Sequence, residues 1–244
     1  MRTLVLYEKA EYEKMRHTIL PLLHLGFPLL GSGLFLLYYR FTCWGSFSEI
    51  SGYVQVLGIT LPMVASIVCA SSVELEEKQH FQTFLGTSFH RMTPFLAKWL
   101  ALLLLELGAL GMAVGIFGVG YHFLPGKEEI SAGLYGKLIL ALWLNSFLPY
   151  LFHLYLNFRF GRTVSLCVGV GEFLLAALFL TGLGDGLWQF VPCTWSARWC
   201  SQLLGMENQF ALAADAVCCL LFALAICGII FYRMYFYEGR WCHD

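Results

Sequence analysis

Charged residues are scarce in this sequence. Fifteen Lys and Arg with 16 Asp and Glu make up 13% of its 244 residues, whereas a soluble domain carries about 25%. So few charges cannot cover a soluble surface, and the mean hydropathy is +0.69. The composition therefore excludes an ordinary soluble domain and predicts an integral membrane protein. The net charge of −1 argues against a dedicated nucleic-acid binder.

Motifs for nucleotide and metal chemistry are missing as well. The two Gly-Lys pairs, at positions 126–127 and 136–137, are followed by Glu and Leu, whereas a phosphate-binding loop ends in Gly-Lys-Ser/Thr. The sequence has no His-Glu-x-x-His, and its nine cysteines form no Cys-x-x-Cys. We therefore predict that this chain binds no metal or cofactor of its own. Cys193 and Cys200 fall in one predicted loop, but their spacing does not decide whether they form a disulfide.

Long apolar runs make up most of the chain. Six of them suit the length of about 20 residues that crosses a bilayer, which predicts an all-α, polytopic membrane protein with one transmembrane domain over residues 1–244. The predicted spans are residues 17–39, 50–73, 95–124, 134–158, 163–184 and 210–235. Residues 1–16 are rich in charge and lack the apolar core of a signal peptide. They predict an amphipathic segment on the cytoplasmic side.

Basic residues are unevenly divided between the loops. If the N-terminus is cytoplasmic, the outer segments hold only Arg40, Lys127, Lys137 and Arg198 of the 15 Lys and Arg residues. The positive-inside rule therefore places both termini in the cytoplasm.

The segment between the second and third spans carries the most informative pattern. Acidic residues close the second span, a short stretch with an apolar helical face follows, and Arg91 and Lys98 flank Pro94. This pattern predicts a short amphipathic helix on the cytoplasmic face. From the residues alone, a solvated connector with an interfacial helix is an open alternative.

This pattern resembles the six-helix permeases of type 2 ATP-binding-cassette (ABC) exporters. Within that class, residues 77–86 and the charged residues 11–16 are similar to the permeases of lantibiotic and bacteriocin immunity transporters. The chain departs from the family at Phe81, where Gly is usual. The matching residues are Glu74, Glu76, Glu77, Phe81, Thr83, Leu85, Arg91, Pro94 and Lys98.

The resemblance implies a transport subunit without its own ATPase site, in the bacterial cytoplasmic membrane. An ABC ATPase dimer that binds ATP and Mg²⁺ would dock beneath this chain and a second permease, the same or related. The substrate would be an amphipathic peptide antimicrobial, taken from among the membrane lipids. The segment between spans two and three would be the coupling helix, with ATPase contacts at Glu74, Glu76, Glu77, Phe81, Phe84, Leu85 and Arg91.

Polar and small residues inside the spans are further candidates, because charge in a bilayer is costly. Ser165, Gly169 and Glu172 share one face of the fifth span, which predicts either a pathway lining or a buried carboxyl bonded to a neighbouring helix. Glu106 is interpreted as marking a tilted or interfacial turn. A stripe of glycines in the third span predicts close contact with another helix, within the chain rather than with a second copy. Its members are Gly108, Gly111, Gly115 and Gly118.

The outer loop between the fifth and sixth spans is rich in aromatic residues. Trp188, Trp195 and Trp199 predict a belt at the membrane interface with one or two short helices capping the outer face.

An intramembrane enzyme, such as a membrane protease, is the alternative function. The Glu76-Glu77 pair suggests one, since a family of membrane metalloproteases opens its site with two Glu. That family has Arg four positions after the second Glu and paired His residues downstream, whereas this chain has Phe81 and no such His pair.

Overall fold

The computed structural model describes residues 2–42, 44–78, 81–82, 86, 92–127, 131–205 and 212–237. Over this part of the chain the regular structure is helical, with no strand. The α-helices are α1 (Arg2–Arg16), α2 (Leu20–Tyr39), α3 (Ser46–Glu77), α4 (Met92–His122), α5 (Ala132–Phe160), α6 (Arg162–Phe179), α7 (Trp195–Leu203) and α8 (Leu212–Tyr235). Three short 3-10 turns connect α6 to α7, at Gly182–Gly184, Trp188–Phe190 and Pro192–Thr194.

Six of these helices, α2 to α6 and α8, are long and apolar enough to cross a membrane. The prediction of an all-α chain with six candidate spans is therefore confirmed. The helices differ in length, since α3 has 32 residues and α6 only 18. At 1.5 Å per residue α3 rises about 48 Å, well beyond a hydrocarbon layer of about 30 Å, whereas α6 is no longer than that layer.

The bundle has α3 near its centre. This helix packs against α5, α6 and α7, while α2 packs along α4. In each of α3, α4 and α5, about half of the residues in the most apolar stretch are buried. In α2, α6 and α8, the buried share of the corresponding stretch is 22% or less. The last three therefore form the outer face of the bundle, where apolar side chains suit lipid better than water.

The two ends of the bundle have different polar contacts. We call the end at which α1 contacts α4 the α1 end; α3 finishes and α4 begins there. At the opposite end, Glu49 of α3 is buried and its carboxylate receives hydrogen bonds from Thr42 (2.6 Å), Tyr121 (2.7 Å) and Lys127 (2.7 Å). These contacts join the end of α2, the start of α3 and the end of α4.

Helix α7 lies inside the bundle rather than over its end. A Cβ added to Gly58, twelve residues into α3, would lie 2.6 Å from the backbone nitrogen of Ala197. Twelve residues correspond to about 18 Å of rise along α3, so the chain after α6 folds back between the helices. Arg198 holds this segment in place, with Nη2 donating to the carbonyl oxygens of Phe179 (2.7 Å) and Thr181 (3.0 Å).

The aromatic residues of this returning segment do not form the predicted belt. Trp188 and Trp195 are buried, and they pack with Leu148 of α5 and Cys219 of α8. The indole of Trp195 donates to the Gln189 carbonyl at 3.1 Å. They fill the space between α5 and α8, so the prediction of an interfacial belt is wrong for these two residues.

Candidate functional site

The residues predicted to contact an ATPase occupy different environments. Glu74 and Glu77 are partly exposed at the end of α3, whereas Glu76 and Phe81 are buried. Glu76 and Phe81 therefore contact the interior of this chain and offer no surface to a partner in this conformation. The remaining predicted contacts, Phe84, Leu85 and Arg91, lie outside the described residues.

Helix α3 continues four residues beyond the predicted end of the second span, through Glu77. Glu74, Glu76 and Glu77 therefore form its final turn and do not open a separate short helix. The Glu74 carboxylate forms ion pairs with Arg162 of α6 (2.9 Å) and with Lys78 (3.1 Å).

Phe81 anchors the chain just after α3. Its backbone N–H donates to the Glu76 carbonyl at 2.9 Å, and its ring packs near Phe158 with a centroid distance of 5.9 Å. The φ of Phe81 is 56°, in the left-handed region where a residue without Cβ is least strained. Phe81 thus has a backbone conformation that favours Gly.

A buried ionic cluster lies next to this turn at the α1 end. It consists of Glu11 and Lys14 of α1, Glu76 of α3 and Lys98 of α4. Lys98 is fully buried; its Nζ contacts a Glu11 carboxylate oxygen and lies 3.2 Å from Glu76 Oε1. Lys14 Nζ completes the cluster, 2.8 Å from Glu11 Oε1 and 3.0 Å from Glu76 Oε1.

The ionic cluster is balanced in charge, with two ammonium groups and two carboxylates. Burial by itself would lower the pKa of Lys14, but hydrogen bonds and the charges of Glu11 and Glu76 outweigh burial and raise that pKa above its usual value. Lys14 therefore stays charged throughout the physiological range. Since a buried charge is tolerated only when paired, the cluster requires α1, α3 and α4 to remain together.

A second polar network connects the last turns of α5 with the first three turns of α6. His153 Nε2 lies 2.8 Å from Glu172 Oε2, and His153 Nδ1 lies 3.0 Å from Ser165 Oγ. Asn157 Nδ2 donates to the same Ser165 oxygen at 2.8 Å. Gly169 lies on the same face of α6, and a Cβ there would lie 2.3 Å from Ser66 Oγ of α3. The structure thus brings together the three predicted residues Ser165, Gly169 and Glu172.

Ser165, His153 and Glu172 have the functional groups of a serine-hydrolase triad, but the serine has no room beside it for a substrate. With Nε2 protonated and donating to Glu172, His153 Nδ1 can accept the Ser165 hydroxyl proton. Ser165 is, however, fully buried, and the close contact of Gly169 with Ser66 fills the adjacent space. Glu172 has the bonded neighbour that one of its two predicted roles requires, and its side chain is 22% exposed.

His153 and Asn157 are the residues of this network that sequence reasoning missed. His153 and Asn157 lie four positions apart, on one face of α5, and Gly161 separates α5 from α6. A turn this short makes the two helices antiparallel neighbours, so their polar faces must meet. The four-residue spacing of these two polar residues, just before a one-residue turn, was the sequence signal that could have identified the network.

Two further predictions about the spans are wrong. Glu106 marks no interfacial turn: it lies mid-way along α4, is 3% exposed, and accepts a hydrogen bond from the Tyr150 hydroxyl at 2.7 Å. The glycine stripe makes no close helix contact at most of its positions. A Cβ on Gly108, Gly111 or Gly115 would meet nothing within 4 Å, and one on Gly118 would meet only the Tyr135 ring, at 3.3 Å.

Cys193 and Cys200 are free thiols in different parts of the core. Cys193 packs with Ile59 and Ala176, whereas Cys200 packs in the cluster that contains Tyr39 and Tyr53. Burial raises the pKa of each thiol to about 12. Both are therefore protonated and unreactive near neutral pH.

No protein-family model matches the chain, and no curated protein matches it. Within the described residues, no group of three or more His, Cys, Asp and Glu side chains is placed to hold a metal ion. Function must therefore be inferred from the residues and their geometry.

Proposed function

We propose that this chain is the membrane-spanning permease subunit of an ABC exporter. In this proposal it moves an amphipathic peptide antimicrobial, or a related substrate, out of the bacterial cytoplasmic membrane. A separate ATPase subunit supplies ATP and Mg²⁺ chemistry, and a second permease chain completes the pathway. Both termini and the α1 end of the bundle face the cytoplasm.

The ionic cluster at the α1 end is the observation that carries this proposal. The segment between α3 and α4 is the predicted ATPase contact, and Glu76 and Lys98 lie close to its two ends. Because both are buried and bonded to α1, a displacement of the segment would move α1, α3 and α4 together. A coupling segment requires such a connection.

Partly exposed groups lie next to the cluster. Glu74 and Glu77 are half-buried at the end of α3, and Glu74 is paired with Arg162 and Lys78, so a partner that docks here would meet a surface with charges of both signs. The buried Glu76 and Phe81 would act from within, by holding the turn in position.

The proposal is tested by recovering the tagged full chain from its native membrane in mild detergent. We expect an ATPase chain in near one-to-one amount. The double variant Glu77→Ala/Phe84→Ala should insert into the membrane normally but lose the ATPase and transport. The matched control Glu13→Ala, an exposed acid of α1, should retain both.

Two outcomes would overturn the proposal. One is recovery of the chain alone, even after cross-linking; the other is full transport by the double variant. Recovery of the chain alone would favour the intramembrane enzyme or a stand-alone transporter, and Glu172 would then be the first residue to mutate. Full transport by the double variant would overturn the coupling role of the segment between α3 and α4.

A further inference from the structure

An apolar cavity runs between α2, α3 and α4, apart from both polar networks. Its volume is about 290 Å³, just below the range of about 300–1,000 Å³ for ligand sites. It is lined on α2 from Leu23 to Phe35 and on α3 from Tyr53 to Val68. The α2 lining corresponds to a length of about 18 Å.

The cavity is long and almost entirely apolar, so it suits a hydrocarbon chain that lies along α2 and α3. With a volume of about 290 Å³, it has room for one such chain rather than several.

The cavity opens sideways from the bundle. Phe27, Leu30 and Val56 line it and are also exposed, Leu30 by 75%. In a chain that crosses a membrane, such exposed apolar residues face lipid, so a ligand dissolved in the bilayer can reach the cavity directly.

The polar groups of the cavity are concentrated at one end. His24 lies near the start of α2, and Glu106 is the lining residue of α4 closest to the α1 end. Because α3 runs in the opposite direction, its lining residues Ile67 and Val68 lie at the same end. The rest of the cavity is apolar apart from Tyr53 and Thr60, so the site has the polarity of an amphiphile with its head toward the α1 end.

The polar groups that line the cavity are hydrogen-bond acceptors. His24 Nδ1 lies 2.8 Å from the Leu20 carbonyl and must donate to it, which leaves Nε2 of the neutral ring as an acceptor. That buried Nε2 has no partner among the described residues. The Thr60 hydroxyl donates to the Leu57 carbonyl (2.9 Å), and the Tyr53 hydroxyl donates to the Ala113 carbonyl (2.9 Å). Glu106 adds a carboxyl group, and none of the described lining residues is Lys or Arg.

We propose that this cavity binds a single-chain amphiphile with a protonated amine as its head group. The chain lies along α2 and α3, and the ammonium donates to Glu106 and His24. An ammonium has three donors and no acceptor, which complements a lining of acceptors. This site goes beyond transport coupling and needs no ATPase partner.

The test uses the full chain in phosphatidylcholine nanodiscs with photoreactive diazirine probes on a twelve-carbon chain. The three probes differ only in the head group, which is an amine, an alcohol or a carboxylate. Modified residues are mapped by mass spectrometry. We expect the amine probe to label lining residues of α2 and α3 about tenfold more than the carboxylate probe does, as a charge-assisted hydrogen bond would produce.

Variants separate the roles of charge and space. Glu106→Gln should abolish the preference for the amine over the alcohol, whereas Glu172→Gln, at another intramembrane carboxyl, should not. Gly31→Leu should block labelling by filling the cavity, since a Cβ there meets nothing within 4 Å and the fold can accept it. Gly33→Leu is the matched control, because its Cβ is equally free and Gly33 does not line the cavity.

Each of three labelling results would overturn this inference: equal labelling by amine and carboxylate probes, labelling spread over the lipid-facing side of α2, or unchanged labelling in Gly31→Leu. Absence of any label in the cavity, with a co-purified phospholipid bound there, would overturn it too. Because the chain is tested without a partner, loss of the ATPase-coupling proposal would leave this result intact.

Discussion

At the level of single residues, Lys98 has the largest expected effect on stability. It is fully buried and contacts Glu11 and Glu76. The variant Lys98→Met leaves two buried carboxylates with only Lys14 between them, and breaking a buried pair costs about 3–5 kcal/mol. We expect the purified chain in detergent to lose much of its thermal stability. The loss is measured by size-exclusion chromatography after heating.

The control for Lys98 is Arg162→Met, which removes the exposed pair with Glu74 and should cost about 0–1 kcal/mol. The double variant Lys98→Met/Glu76→Met restores charge balance around Lys14 and Glu11, so it should regain much of the loss. A single Lys98→Met variant as stable as Arg162→Met would show that the ionic cluster does not hold the α1 end together.

At the level of elements, α7 depends on a close contact with α3. The variant Gly58→Ala places a Cβ 2.6 Å from the Ala197 nitrogen and 2.8 Å from its Cα, and backbone atoms cannot move aside cheaply. We expect a loss of about 1–3 kcal/mol from overpacking, measured as a lower midpoint of thermal unfolding in detergent.

Gly171→Ala is the matched control for this prediction. It lies in α6, and its Cβ would meet nothing within 4 Å, so its midpoint should be unchanged or slightly higher because Ala favours helix over Gly. If Gly58→Ala and Gly171→Ala have equal midpoints, α7 does not pack against α3 as described.

At the level of the whole molecule, the charge distribution predicts the orientation in the membrane. Most basic residues lie at the α1 end or in segments on the same side, and the positive-inside rule predicts that this side faces the cytoplasm. Alkaline phosphatase fused after Lys127 should therefore be active, whereas the same enzyme fused after Tyr237 should be inactive. Green fluorescent protein should give the reverse pattern, and the opposite result at both sites would reverse the topology.

The number and class of the helices follow from composition and length, since only a long apolar run satisfies its backbone inside a bilayer. The same reasoning placed Ser165, Gly169 and Glu172 on one face, because a helix repeats every 3.6 residues. These features depend on residues close together in the chain, so local pattern was sufficient to predict them.

Contacts between distant segments could not be predicted in this way. Glu11 pairs with Lys98 across 87 positions and Lys14 with Glu76 across 62, and no local pattern specifies which helices pack together. The end of α3 was predicted too early for a related reason. The charge of Glu76 favours a solvated turn, but pairing with the two lysines of the cluster allows Glu76 to be buried within the helix. Burial of Glu106, the return of α7 into the bundle and the open glycine stripe were likewise decided by packing. Composition and periodicity thus determine that this chain has six helices long and apolar enough to cross a membrane, whereas only the tertiary structure determines which polar residues meet between them, because that depends on which helices are neighbours.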